Sequence, residues 1–180
     1  MLNIDELREA ATRNPSQSGV GGIKLRTADC IYRFYCEEFV KRRVDEVHTH
    51  SNGFNSTVEK GVLRNILYEV KEVEYETDYC LTQGVCQKGC VPDVVAENIV
   101  FEELFRADMP AGTFYSIDPE TFHRVEFVTR AVVTSLSPPF MEGPDPKFAR
   151  NKKEGYVCPW GEEMLNSTEC WEAIDFILKL

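Results

Sequence analysis

At 180 residues and 43% hydrophobic content, the chain can bury a sizeable core, and a single domain over residues 1–180 is the default expectation. Its 30 acidic and 20 basic residues leave a formal charge of -10, which argues against nucleic acid or an anionic membrane surface as a partner. A small molecule, neutral or cationic, fits better.

No apolar run approaches the length that spans a bilayer, and the opening MLNIDELREAATRN is polar and acidic. It is unlike a secretory signal, so a cytoplasmic protein is expected. Seven cysteines cannot all pair internally, and in a reducing compartment they are expected to be free thiols or in part metal ligands.

In chain order, Asn3 is placed to cap a short helix over 4–14, with Ile4, Leu7, Ala10 and Ala11 on one stripe. Pro15 and the segment PSQSGVGG end it. From Leu25 the sequence TADCIYRFYCEEFV is rich in aromatic and branched residues and suits one or two strands. The stretch VDEVHTHSNGFNSTVEKG follows, with His48 and His50 two residues apart and so on one side of an extended chain. Asn52-Gly53 and Lys60-Gly61 read as turns. Residues 62–77 form a long strand-like run, with its return partner in 94–107.

Between those two, Cys80, Cys86 and Cys90 fall within eleven residues. They could supply three thiolates to zinc, but they lack paired CxxC knuckles, and a flexible hairpin tip with free thiols is the other reading. His123 follows in a segment of extended character, GTFYSIDPETFHRVEF. Residues 130–136 read as a buried strand stopped by Pro138 and Pro139, and 141–160 as loop. Asn166 with Glu169 three residues later makes a capping box for a last helix whose apolar face is Trp171, Ile174, Ile177 and Leu178. Many strands with a helix at each end predict an all-β sandwich or barrel with flanking N- and C-terminal helices, its core about 23–140 and a loop and helix over 141–180.

The three histidines are the whole imidazole complement of the chain, and they lie in two extended segments. Their convergence on a metal ion is the natural expectation, because neutral imidazole is the commonest side-chain metal ligand.

HTHSNGFNSTVEKG resembles the first metal motif of the cupin superfamily, an HxH followed by a turn glycine. PAGTFYSIDPETFHRVEF resembles the second. Within that superfamily the likeness is to the cysteine dioxygenase (thiol dioxygenase) family, which has a tyrosine eight residues before a His-Arg-Val-Glu run, as Tyr115 stands before His123, Arg124, Val125 and Glu126. Ser137 to Phe140 match its Ser-Pro-Pro-Phe. The resemblance covers about residues 44–140. It implies a cupin double-stranded β-sandwich or jelly-roll barrel, and a non-haem iron site at His48, His50 and His123 acting on a small thiol or carboxylate. Fe(II) is the expected ion, with Zn, Ni or Mn as alternatives. It also implies an arginine on an early strand, Arg26 or Arg33, for a substrate carboxylate, and a cavity-facing phenol at Tyr115.

The departures are as informative. The family places a serine, a histidine and a tyrosine where this chain has Val132, Thr134 and Leu136, so the proton relay is missing. Where other cupins put a glutamate ligand, Phe54 and Asn55 stand, and Glu59 is nine residues beyond the HxH. Two functions of different class follow: an iron oxygenase-like oxidoreductase, and a cupin that holds a metal and a small ligand without catalysis. Arg124 and Glu126 alternate away from His123 and are not expected to touch the metal.

Overall fold

The computed structural model describes residues 2–17, 22–39, 46–84, 92–154 and 165–180. Helix α1 (Ile4–Ala10) precedes strands β1 (Ser16–Gln17), β2 (Ile23–Arg26), β3 (Ile31–Cys36), β4 (Asn52–Lys60), β5 (Val62–Glu72) and β6 (Tyr79–Gln83). Strands β7 (Asp93–Ala96), β8 (Ile99–Pro110), β9 (Phe114–Ile117), β10 (Phe122–Phe127), β11 (Ala131–Glu142) and β12 (Lys147–Asn151) follow, and helix α2 (Ser167–Lys179) closes the described chain. No described helix is long and apolar enough to cross a membrane.

One sheet has six strands in the order β1-β2-β3-β11-β4-β9, and two further sheets run β10-β5-β8 and β12-β6-β7. All pairings are antiparallel. Segment 46–50 lies between the two three-stranded sheets: His48 bridges to His123 of β10 on one side and Phe148 of β12 on the other. The strand alternation of the six-stranded sheet then divides its side chains. Leu25, Phe34, Ala131 and Val133 pack under the helices against Cys170, Ala173, Ile174 and Ile177. Tyr35, Val58 and Val132 face inward to meet Leu63 of β5 and Met109 of β8, as the period-two geometry of strands requires. The result is an all-β sandwich with two helices on one outer face.

Gly61 makes the β4–β5 turn at φ +78, where a Cβ would stand 2.1 Å from the Ala131 carbonyl oxygen. Only glycine fits there.

Several expectations are corrected. Helix α1 ends at Ala10 rather than Asn14, because Ala11 bridges to Thr27 and the Thr12 amide donates to the Arg26 carbonyl. Asn52-Gly53 is no turn but the start of β4, paired with Glu142 and Met141. Strand β11 does not stop at Pro138 and Pro139; its register with β4 jumps between Ser137 and Met141, which accommodates two residues that lack an amide donor. Residues 141–160, read as loop, contain β12. The HxH segment makes bridge pairings rather than a named strand. On α2, Trp171 and Leu178 flank the buried face, and Cys170 and Ala173 complete it.

Candidate metal centre

Backbone pairing sets the site. The His48 amide donates to the His123 carbonyl at 3.0 Å, and the His123 amide returns the bond to His48 at 2.9 Å. On the other flank, Ala149 donates to the Val47 carbonyl and Thr49 to the Lys147 carbonyl. The chain is therefore extended through 47–50, which sends Val47 into an apolar cluster with Ala149 and Ile99 and turns His48 and His50 the other way. His50 is fixed in turn by its amide, which donates to the Pro119 carbonyl at 3.0 Å.

The three imidazoles form a triangle: every pair of ring centroids is 4.9 Å apart. One ligand atom from each histidine lies within 4.8 Å of the others, close enough to hold one metal ion. Two rings are oriented from behind. The Nδ1 of His123 is 2.9 Å from the Asn65 Oδ1 of β5, and the Nδ1 of His48 is 2.9 Å from the Glu46 carbonyl. With those nitrogens donating, Nε2 of both rings carries the lone pair, which is the tautomer a metal requires. Nε2 of His50 and of His123 approach to 2.7 Å, the separation of an N–H···N hydrogen bond. Phe148 stacks on His48, and Phe54 meets His50 edge-on.

Burial lowers the proton affinity of all three histidines. His50 and His123 are held well below the ordinary value, first by desolvation and then by neighbouring positive charge, and His48 moves the same way. At neutral pH all three are therefore uncharged, the form in which an imidazole can bind a metal. His123 is buried, whereas His48 and His50 keep part of their surface open.

The other residues singled out from the sequence divide clearly. Arg33 faces inward, its guanidinium carbon 5.5 Å from the Phe54 ring centroid, and its positive charge acts on all three histidines. Its Nε is buried without a hydrogen-bond partner. Arg26 lies two residues along β2 from Lys24 and so shares its face; its charge acts on Lys24 and is not among those acting on the histidines. Tyr115 is opposite Ser56 across the β4–β9 ladder. Burial pushes its phenol up, the Ser56 hydroxyl opposes that shift, and the group is protonated at neutral pH. Ser56 Oγ nonetheless makes no hydrogen bond of ordinary geometry.

Val132, Thr134 and Leu136 are buried on the inner face of β11. Glu59 is exposed on the opposite face of β4, where its carboxylate accepts from Ser135 Oγ, so it is no fourth ligand. Arg124 and Glu126 pair with each other and Glu126 with Arg64, away from the cluster. Cys30, Cys36, Cys80 and Cys170 are free thiols. Cys86 and Cys90 lie outside the described residues, and with them the three-thiolate zinc reading.

Asn65 and Phe148, which touch the histidines, and Ser56 opposite Tyr115 were not visible as site residues in the sequence. Only Asn65 left a trace, a lone amide inside the apolar run VLRNILYEV. Fold and site together define a class: a β-sandwich with a three-histidine cluster able to hold a metal ion. Comparison of the chain with protein-family models, with curated proteins and with solved structures finds no match.

Proposed function

We propose that this protein is a cupin-type, cytoplasmic metalloprotein that holds Fe(II) through His48, His50 and His123 and binds a small thiol or carboxylate ligand beside it. The observation that carries the reading is the orientation of the rings. Two Nδ1 groups are already satisfied by Asn65 and by the Glu46 carbonyl, which leaves the Nε2 atoms to converge. Such oriented, neutral imidazoles fit a borderline divalent ion, with Zn, Ni and Mn as the competing occupants.

A divalent ion held by neutral ligands alone keeps its full charge and supplies Lewis acidity and, for iron, redox chemistry. The protein's own residues do the rest. Arg33 lies over Phe54 beside the cluster and its Nε makes no hydrogen bond; a guanidinium is suited to grip a carboxylate. Phe54, edge-on to His50, packs with Leu136 and Ile117, an apolar cluster that would keep water from that side of the site. Tyr115 keeps its proton and offers a hydroxyl donor.

The inner face of β11 favours a second reading for catalysis. Val132 and Leu136 cannot move a proton, and Thr134 has only a weakly acidic hydroxyl. The protein is therefore expected to bind metal and ligand while turning over little or no free cysteine. Anaerobic purification, iron analysis and oxygen uptake with a panel of thiols and small acids test both readings. Metal retained after His123→Ala overturns the site, and brisk conversion of cysteine to its sulfinate overturns the argument from β11.

A further inference from the structure

The inner face of the six-stranded sheet carries two cations side by side. Lys24 of β2 and Arg33 of β3 are direct partners across the antiparallel ladder. Their strand neighbours Ile23, Leu25 and Phe34 are packed under the helices, so alternation turns Lys24 and Arg33 into the sandwich. Like charges placed directly opposite on one face destabilise a sheet, and because both side chains are half-buried water screens them less than at an open surface.

Among the described residues no carboxylate relieves this. Lys24 makes no hydrogen bond or ion pair with any described residue, and Arg33 keeps a buried Nε with no partner. The charges acting on Lys24 are those of Arg33 and Arg26, and together with burial they bring its ammonium down to about 8. The three histidines add no negative charge, so the local balance is positive although the chain's formal charge of -10 by itself favours a neutral or cationic ligand. Lys24 also acts on His50, so the pair and the imidazole cluster share one electrostatic space.

Resting on the metal-site reading above, we infer that the ligand of this site is a small dianion of the dicarboxylate class, with one acidic group at Arg33 and the second at Lys24. A single carboxylate satisfies Arg33 and leaves the adjacent ammonium uncompensated. A second acidic group removes that imbalance, which makes Lys24 the specificity-determining residue.

The test is calorimetric titration of the full chain, loaded with zinc to avoid oxidation, with succinate and malonate against butyrate and propionate. The wild type is expected to prefer the dicarboxylates by about tenfold or more, which is 1.4 kcal/mol or more. Lys24→Gln and Lys24→Met are expected to abolish that preference while monocarboxylate affinity stays within about threefold, a discrimination set by one cation. Lys24→Arg is expected to keep it. Absence of the preference in the wild type, its survival in both neutral variants, or an equal loss of mono- and dicarboxylate binding overturns the inference. Melting curves identify any variant that fails to fold, and the other neutral variant then decides. A wild type that takes up no metal overturns the metal reading instead, and the same titrations on the metal-free chain still decide the role of Lys24.

Discussion

Asn65 is where one strand of the sandwich reaches behind the site and fixes the tautomer of His123. Its amide oxygen is buried with the imidazole it accepts from. Asn65→Leu keeps the size but leaves that N–H without a partner, so metal affinity is expected to fall about ten- to a hundredfold. Chelator competition measures this, and an unchanged dissociation constant would show that the ring is held by packing alone. Lys24 works in the opposite sense, as a half-buried cation opposite Arg33 that weakens the fold. Its folded value of about 8 lies below the ordinary lysine value of 10.5, so the unfolded chain holds the proton more tightly. The corresponding stability is therefore present above about pH 10.5 and is lost as the pH falls through about 8. The full difference is on the order of 3 kcal/mol. Ligand-free Lys24→Met is expected to resist urea better than the wild type at pH 7, with the gap closing toward pH 10.5; a gap independent of pH would contradict this. His48, His50 and His123 were legible because they are the chain's only imidazoles and lie in two extended segments. Asn65 was not, since nothing local in an amide tells which face of which strand will meet the histidines, and nothing local in Lys24 tells that it will stand opposite Arg33.

Local signals decided some elements and tertiary pairing decided others. Helix α2 was legible because its capping box is complete within four residues: Asn166 Oδ1 accepts from the Thr168 and Glu169 amides, and the Glu169 carboxylate accepts from the Asn166 amide. Asn166→Ala is expected to cost about 1 kcal/mol, the usual worth of such a cap. The urea midpoint should fall while metal affinity stays unchanged, because α2 packs on the side of the sheet away from the histidines. A parallel loss of metal would mean that the helix governs the site. The extension of β11 past Pro138 and Pro139 could not be read locally, since two prolines ordinarily end a strand. What sustains it is distant chain, Gly53 and Asn52 at the start of β4, which pair with Met141 and Glu142. Strand β12 was missed for the same reason: its partner β6 lies more than sixty residues earlier, and the loop-rich composition around it masks five residues of strand.

At the scale of the molecule, the three-histidine cluster coincides with a structural joint. The β10-β5-β8 and β12-β6-β7 sheets meet through segment 46–50, whose backbone bonds to His123 on one side and to Lys147 and Ala149 on the other. An ion at His48, His50 and His123 would tie this segment to β10 through side chains as well as backbone. Because the unfolded chain cannot hold the three rings together, binding must stabilise the folded state, by about 2.7 kcal/mol when free metal is a hundred times the dissociation constant. The melting temperature is therefore expected to rise with metal concentration in the wild type and not in His123→Ala. The joint adds a local signature to that global one. Amides that open by separation of segment 46–50 from its neighbours, those of His48, Thr49 and Ala149, should exchange hydrogen more slowly once metal is bound. The α2 amides sit in a separate core with Ile174 and Ile177, and those that exchange by local fraying of the helix should be unaffected. Hydrogen exchange with and without metal separates the two cases. Equal slowing across α2 and the joint would mean that metal acts on global unfolding alone, and no slowing at Ala149 would remove the joint from the role its hydrogen bonds assign it.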